Sequence, residues 1–202
     1  MNVNFDTQLN FKANLLSKTS VKKKFIGNFY YDKPVSFIEF DLKSMLDRTA
    51  LIDLEKKWFP KEKHQMENYI ESNALTPFGD VLHLYGITKQ KKNLKEIDIN
   101  KVLCIAAIAD NPYYKEKRNV ILNFIQTKPI YLNNKKQNPK IKHCGKSLLN
   151  KLKDIYAKRG IELLSINNSM EFYKKNGFEL VVPNFNAMIW KNPQEKGDIV
   201  KS

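Results

Sequence analysis

Apolar residues recur along the first part of the chain with two periods, which predicts strands and helices. Alternation of apolar and polar positions over 35–40 predicts a strand. Helical spacing follows over 42–58, a second helix is expected over 61–73, and a turn is expected at 77–80. The apolar positions that share related faces of the first helix are Leu46, Leu51, Leu54 and Trp58.

Three further strands are predicted in the middle of the chain, over 81–88, 102–109 and 119–127. A lysine-rich connection and an Asp-Asn-Pro turn separate them, which favours a meander. The run 102–109 is apolar throughout, and this is typical of a central strand that is covered on both faces.

The last third predicts a helix over 146–158, a strand over 161–166, a short helix and two closing strands over 178–182 and 187–190. Asn168 or Ser169 is expected to cap the short helix and Gly177 to end it. The predicted order is β-α-α-β-β-β-α-β-α-β-β, a mixed α/β (α+β) fold. The apolar stripe of the longer helix consists of Leu148, Leu149, Leu152, Ile155 and Tyr156.

The length of 202 residues is sufficient for one domain with a proper core. We expect the domain to span 35–190, with an N-terminal element of uncertain form over 1–34 and a polar, mobile tail over 191–202. No apolar run reaches the ~20 residues that span a bilayer, and no secretory signal is visible, so no membrane partner is expected. Two cysteines, Cys104 and Cys144, make no disulfide framework, which favours the cytoplasm.

The net charge of +14 is unevenly distributed. Residues 128–160 hold ten basic residues against the single acid Asp154 and so contribute +9. All the basic residues except Arg48, Arg118 and Arg159 are lysine, although proteins that read nucleic-acid bases favour arginine. A general lysine bias is one explanation of the charge, and the concentration of the charge in one segment suits a polyanionic ligand.

Two segments in the last third of the chain carry the candidate chemistry. The loop Lys140-Ile141-Lys142-His143-Cys144-Gly145 opens the helix that is predicted from Lys146. The first N–H groups of a helix have no internal partner and lie at the positive end of its dipole, so such a loop can bind a diphosphate. An ordinary glycine turn before an amphipathic helix is the alternative. The second segment, Phe172-Tyr173-Lys174-Lys175-Asn176-Gly177-Phe178, is a short helix that leads into a strand.

These two segments resemble motifs of the GNAT acyltransferases. The loop occupies the frame (Arg/Gln)-x-x-Gly-x-(Gly/Ala), with Gly145 matching the last position, His143 replacing the first glycine and Lys140 replacing the first residue. The second segment resembles the family's aromatic-Tyr-x-x-x-Gly-Phe signature. The predicted order of elements also matches the family's fold, a central, mostly antiparallel twisted sheet flanked by helices.

The resemblance implies an N-acetyltransferase that moves an acetyl group from acetyl-CoA directly to an amine. Tyr173 would protonate the leaving thiolate, or else it is an aromatic core anchor. The backbone of the strand 119–127 would pair with the pantetheine arm near Phe124, Ile125 and Gln126. The other residues expected to bind the cofactor are Lys140, Lys142, His143, Cys144, Gly145, Lys146, Ser147 and Asn168.

Several features are left open by the sequence. Asp110, Glu39 and Glu71 are candidate general bases, and none stands out. The position of Cys144 at a lysine-flanked helix start should depress its thiol pKa, but no histidine and acid are placed to serve it as a nucleophile. No metal site is expected from the histidine and cysteine spacing.

Two rival functions remain open. One is a GNAT-like module without turnover, whose basic face binds nucleic acid or a protein. The other is an enzyme that acts on a macromolecule such as transfer RNA or a protein lysine. The acyl acceptor, the acyl chain length and the oligomeric state are not predicted.

Overall fold

The computed structural model describes residues 13–59, 70, 81–90, 98–110, 119–131 and 140–193. Within this part of the chain we number nine strands and three α-helices. The strands are β1 (Asn14–Lys24), β2 (Tyr30–Phe40), β3 (Val81–Thr88), β4 (Val102–Asp110), β5 (Val120–Thr127), β6 (Ile141–Lys142), β7 (Ile161–Leu164), β8 (Glu179–Val182) and β9 (Ala187–Trp190). The helices are α1 (Met45–Trp58), α2 (Cys144–Ile155) and α3 (Met170–Lys175). None of these helices is long and apolar enough to cross a bilayer.

The strands form one sheet in the order β6-β1-β2-β3-β4-β5-β7-β9-β8. Neighbouring strands are antiparallel except β5 and β7, which are parallel. The predicted fold class, a mixed and mostly antiparallel sheet with helices, is therefore confirmed. The helix predicted over 61–73 and the turn over 77–80 lie outside the described residues, apart from Ile70, which is helical.

Two strands were not predicted from the sequence. β1 lies within the lysine-rich region 1–34 and pairs with β2 from Asn14↔Glu39 to Lys24↔Tyr30, while the short strand β6 pairs with β1. β2 begins at Tyr30, so the expected boundary between residues 34 and 35 falls inside a strand. Most side chains of β1 are exposed or half-buried, and Val21 is the one that is fully buried. Such an edge strand is defined by its pairing, because it lacks the apolar alternation that marks a strand in sequence.

The central strand β4 separates two apolar clusters. Its Cys104, Ala106 and Ile108 pack into the cluster that contains α2, whereas Ile105 and Ala107 pack into the cluster that contains α1. The apolar run over 102–109 is thus covered on both faces, as predicted. The sheet is consequently covered on both faces, by α2 on one and by α1 on the other.

Gly160 makes the turn between α2 and β7, and we expect its replacement by alanine to destabilise the fold strongly. Its φ is +83°, and an added Cβ would lie 2.7 Å from both the Asn119 Oδ1 and the Trp190 backbone oxygen. Left-handed strain of about 1–2 kcal/mol would combine with this clash. Chemical denaturation of Gly160→Ala should show a loss of about 3 kcal/mol or more in the free energy of unfolding.

Gly27 is a matched control, because its φ is +56° but nothing lies within 4 Å of an added Cβ. Gly27→Ala should therefore lower the free energy of unfolding by only about 1 kcal/mol, the cost of holding an alanine in the left-handed conformation. Equal losses in the two variants would show that the contacts around Gly160 are not tight.

Candidate functional site

The parallel strands β5 and β7 separate soon after they meet. They pair only at Val120↔Ile161 and Ile121↔Glu162. β5 then continues to Thr127 against β4, while β7 pairs with β9. In the described part of the chain, the outer edge of β5 beyond Ile121 therefore has no strand beside it. Backbone groups on such an edge can pair with an added extended chain.

A bulge at Asn123 changes the direction of the side chains along this edge. Ala107 is opposite Phe124, but the next residue of β4, Ile108, is opposite Leu122, so Asn123 is an extra residue. Leu122 accordingly packs on the α2 side and Phe124 on the α1 side. Residues two apart would face the same side in a regular strand. The bulge thereby turns Ile125 towards α2, where the strands diverge.

A cavity of about 530 Å³ lies beside the outer part of β5, beyond the residues that pair with β7. Ile125 and Thr127 of β5 form one wall, and the start of α2 forms the second. The third wall comes from α3 and includes Phe172 and Tyr173. The two segments that carry the sequence motifs thus open on one cavity.

The first turn of α2 presents its amides at this cavity. The Ser147 N–H donates to the His143 carbonyl oxygen at 2.9 Å as the first bond of the helix. The amides of Cys144, Gly145 and Lys146 precede that bond, and His143 makes no side-chain cap. These N–H groups have no intrahelical partner and lie at the positive end of the dipole. The helix begins two residues before the predicted Lys146.

His143 adopts the left-handed conformation, with φ of 65°. Only glycine adopts this conformation without steric cost. The family motif that the loop resembles has a glycine where this chain has His143. Partial burial lowers the pKa of His143, and the charges of Lys146, Lys22 and Lys142 lower it further. The imidazole is therefore neutral near pH 7, and the positive charge beside the cavity comes from Lys146 and Lys175.

Gly145 faces the cavity. A Cβ added there would lie 3.5 Å from Thr127 Oγ1, 3.6 Å from Phe172 Cζ and 3.7 Å from Ile125 Cγ2, which are ordinary contact distances. A methyl group fits at this position, but a longer side chain would have to extend into the cavity.

Tyr173 lines the cavity from α3 and is 8% exposed. Its ring makes edge contacts with Phe172 and Phe178, at centroid distances of 5.2 and 5.5 Å. Burial raises the pKa of Tyr173 to about 12, with a small contribution from Cys104. Among the described residues, no group hydrogen-bonds to its hydroxyl. A buried phenol without a protein partner is available to a ligand, since buried polar groups normally find one.

Local hydrogen bonds hold α3 in place. The Phe178 N–H donates to the Tyr173 carbonyl oxygen at 3.1 Å, and Asn176 Nδ2 donates to the Phe172 carbonyl oxygen at 2.7 Å. Lys153 of α2 donates to the Asn176 carbonyl oxygen and lies over the Phe178 ring. Burial lowers the pKa of Lys153 to about 8. These contacts join α3 to α2 and fix the position of Tyr173.

The expectation that the position of Cys144 depresses its thiol pKa is wrong. The thiol is 2% exposed, and burial raises its pKa to about 12. Desolvation outweighs the helix dipole and the neighbouring lysines here, because the side chain points into the core cluster under α2.

Other predicted cofactor residues do not line the cavity. Ser147 Oγ donates to the Ser20 carbonyl oxygen at 2.6 Å, and Lys142 Nζ lies 4.3 Å from the centre of the Tyr30 ring. Lys140 is exposed beside β1. Phe124 is buried on the α1 side, and Asn168 is exposed in the 3₁₀ turn before α3. The predicted role of Phe124 required only its backbone.

The residues predicted at the ends of α3 are in place, with Gly177 directly after its last turn, but the N-cap side chain does not cap the helix. Ser169 occupies the N-cap position but makes no capping bond, and its hydroxyl donates to the Ile166 carbonyl oxygen at 3.0 Å instead. The 3₁₀ turn over Asn167–Ser169 leads into the helix in place of a side-chain cap.

Two of the three candidate bases are engaged elsewhere. Asp110 pairs with Arg159 at 2.5 Å, and Glu39 contacts His83 Nδ1 at 2.6 Å. Glu71 lies outside the described residues. Among the described residues, no group of three or more His, Cys, Asp and Glu side chains could hold a metal ion.

The sequence prediction missed a buried carboxylate on the opposite face of β5. Glu55 of α1 is 1% exposed and accepts a bond from Gln126 Nε2 at 3.0 Å. Gln126 Oε1 is buried and has no partner within the described residues. Glu55 lies four residues after Leu51 on the apolar stripe of its helix, and an acid in such a stripe was the available signal. Phe172 and Asn176 stood inside the quoted motif without an assigned role.

No model of a known protein family matches the sequence, and no curated protein sequence matches it. Solved structures with a similar arrangement include Tetrahymena GCN5, with 19% identity, a TM-score of 0.41, and coverage of 77% of this chain and 79% of that one. AtaTR bound with AcCoA has 15% identity, a TM-score of 0.45 and coverage of 71% and 87%. Arabidopsis thaliana NAA60 in complex with a bisubstrate analogue has 12% identity, a TM-score of 0.43 and coverage of 74% and 95%.

These three structures are of the GNAT type, the family that the two motifs resemble. Identities and TM-scores at this level do not define an activity.

Proposed function

We propose that the protein is an N-acetyltransferase that transfers an acetyl group from acetyl-CoA to an amine. One observation carries the proposal: β5 and β7 part after two residue pairs, and the amide end of α2 and the phenol of Tyr173 open on the resulting cavity. A free strand edge, an anion site and a hydrogen-bond donor are the three features needed to hold an acyl-CoA thioester.

The cofactor would bind through backbone groups at both ends. Its diphosphate accepts hydrogen bonds from the amides of Cys144, Gly145 and Lys146, and the Lys146 ammonium adds charge. Its pantetheine amides pair with the free edge of β5 like an added strand. This arrangement explains why a cysteine is tolerated in the loop, because the backbone and not the side chain at 144 makes the contact.

The reaction would be a direct displacement. The neutral amine nitrogen attacks the thioester carbonyl carbon, a C–N bond forms, and the C–S bond breaks to release the coenzyme A thiolate. A backbone N–H of β5 near Ile125 stabilises the negative charge that develops on the carbonyl oxygen. The proton that the amine loses passes to a base on the acceptor side.

Tyr173 would stabilise the thiolate by hydrogen bonding. With a pKa of about 12, its phenol stays protonated at neutral pH. It is a weaker acid than a free thiol of pKa ~8.5. The phenol therefore donates a hydrogen bond to the sulfur, and the thiolate takes its proton from water after release. The dependence of turnover on pH should therefore show no step from ionisation of Tyr173 below about pH 11.

Glu55 and Gln126 would form the acceptor side. They lie on the α1 face of β5, with Glu55 buried and Gln126 half-buried, and an acceptor amine would have to open this face to reach the unpartnered Gln126 Oε1. We expect Glu55→Gln, which is nearly isosteric, to lower turnover at saturating amine about tenfold or more while acetyl-CoA affinity stays similar. Steady-state kinetics and calorimetry on the same preparations measure the two effects.

Glu39→Gln is the matched control, since this carboxylate contacts His83 two strands away from β5. Its turnover should equal that of the wild type. A loss of turnover in Glu39→Gln with none in Glu55→Gln would identify Glu39, and not Glu55, as the base.

The second candidate function is a GNAT-like module that binds acetyl-CoA or a polyanion without turnover. His143 at the glycine position and the basic segment 128–160 favour it. Thiol release from acetyl-CoA, measured with a panel of small amines, lysine peptides and aminoacylated transfer RNA, distinguishes the two. Release above the acceptor-free rate supports the enzyme, whereas binding without release by any acceptor supports the module.

A further inference from the structure

The tip of the β1–β2 hairpin exposes three large apolar side chains. Phe25, Ile26 and Phe29 are 72%, 66% and 77% exposed. The tip is folded by its own backbone: the Phe25 N–H donates to the Phe29 carbonyl oxygen, and the Phe29 N–H to the Ile26 carbonyl oxygen, both at 2.9 Å. The three side chains therefore project from a closed turn without packing on the core. Contiguous apolar exposure of this kind marks an interaction site.

Two tyrosines lie directly behind the tip. Tyr30 pairs with Lys24 and Tyr31 with Lys23 in the strand register. Lys142 Nζ lies 4.3 Å from the Tyr30 ring centre, and Lys23 Nζ lies 5.7 Å from that of Tyr31. Amphipathic tyrosines next to an apolar end are typical of the level at which a membrane meets water.

Lysines of β1 and β6, with Lys140 just before β6, surround the same base. β6 pairs Lys142 with Lys22 and Ile141 with Lys23, and the Lys24 N–H donates to the Lys140 carbonyl oxygen. Successive rows of a strand pair are about 3.4 Å apart, so these lysines lie within about 10 Å of the tip along the strands. Asp32, paired with Lys22 at 2.7 Å, is the acid in these rows. The hairpin thus has an apolar tip, a tyrosine level and a cationic base.

We propose that the β1–β2 hairpin docks the protein on an anionic lipid surface, with Phe25, Ile26 and Phe29 entering the headgroup and acyl boundary. Interfacial elements bury their apolar parts about 5–10 Å deep, which matches the distance from the tip to the lysines. Lysines near an anionic leaflet add electrostatic attraction to the apolar insertion. This interaction is peripheral and independent of the acyl-transfer proposal.

The hairpin is less suited to single-stranded nucleic acid. Base stacking needs open aromatic faces, but lysine ammonium groups lie over the rings of Tyr30 and Tyr31. Ile26 at the tip has no π-face, and no arginine occurs in the hairpin. An aliphatic and aromatic tip favours hydrocarbon over bases.

Vesicle flotation with the full chain tests the proposal. We expect the protein to float with phosphatidylcholine vesicles containing about 30% phosphatidylglycerol, and far less with pure phosphatidylcholine or at about 0.5 M salt. Phe25→Ser combined with Phe29→Ser should weaken partitioning about tenfold or more, because the apolar insertion is lost. Both residues are exposed, and circular dichroism verifies that the double variant folds.

Phe185→Ser is the matched control, because Phe185 is 73% exposed in the turn between β8 and β9, away from the hairpin. It should float like the wild type. Failure of the wild type to float, or equal flotation of the hairpin double variant, would overturn the proposal. Loss of binding to a single-stranded RNA in the double variant, with vesicle binding unchanged, would assign the hairpin to nucleic acid instead.

Discussion

We expect Tyr173→Phe to lower the turnover number about tenfold or more, while acetyl-CoA affinity stays similar. The substitution removes one oxygen atom from a ring that is already packed between Phe172 and Phe178, so its shape is kept. The lost group is a donor that acts on charge developing at sulfur, which affects the transition state more than the bound thioester. Thiol-release kinetics and calorimetry on the purified variant measure the two quantities.

Tyr156→Phe is the control for loss of a buried phenol. Its hydroxyl bonds to that of Tyr85 at 2.9 Å, and Tyr156 does not line the cavity. This variant should lose about 1 kcal/mol of stability and keep its turnover. Unchanged turnover in Tyr173→Phe would remove Tyr173 from the mechanism and leave it as a core anchor.

Gly145→Glu should weaken acetyl-CoA binding by about an order of magnitude or more. A side chain at this position must extend past Thr127 and Phe172 into the cavity, where its carboxylate would compete with the diphosphate for the helix amides. The same carboxylate should stabilise the free protein slightly, because acids are favourable near a helix N-terminus. Calorimetry and thermal denaturation together separate the loss of binding from unfolding.

Gly145→Ala is the matched control, since a Cβ meets its neighbours at 3.5–3.7 Å. Alanine should fold normally and bind acetyl-CoA much more tightly than the glutamate variant. Equal affinity of the wild type and the glutamate variant would place the diphosphate somewhere other than at the start of α2.

The elements with a strong apolar period could be predicted from the sequence. The buried strand β4 packed as expected, and so did the predicted helical stripe except for Ile155, which is 45% exposed. Their burial depends on side chains that the pattern makes visible. The edge strands β1 and β6 could not be predicted. Their lysines and polar residues carry no strand period, and a partner strand distant in sequence defines them.

The sequence predicted which segments lie at the candidate site, but it did not predict the contacts that their side chains make. Both motifs do open on one cavity, and Gly145 and Tyr173 line it. The sequence could not show that Ser147 bonds to β1, that Lys142 covers Tyr30 or that burial raises the pKa of Cys144. Each of these depends on contacts between elements that are far apart in the chain. The pairing of Glu55 with Gln126 depends in the same way on α1 crossing β5.

Thermal denaturation with increasing acetyl-CoA tests the central claim most directly. A ligand that binds only the folded protein stabilises it by about 2.7 kcal/mol at a hundred times its Kd. For a chain of this size, that corresponds to a rise of roughly 5–10 °C in Tm. We predict such a rise for the wild type and a much smaller one for Gly145→Glu at the same concentration. A Tm that does not change at millimolar acetyl-CoA would contradict the assignment of the cavity between β5, α2 and α3 as a coenzyme A site.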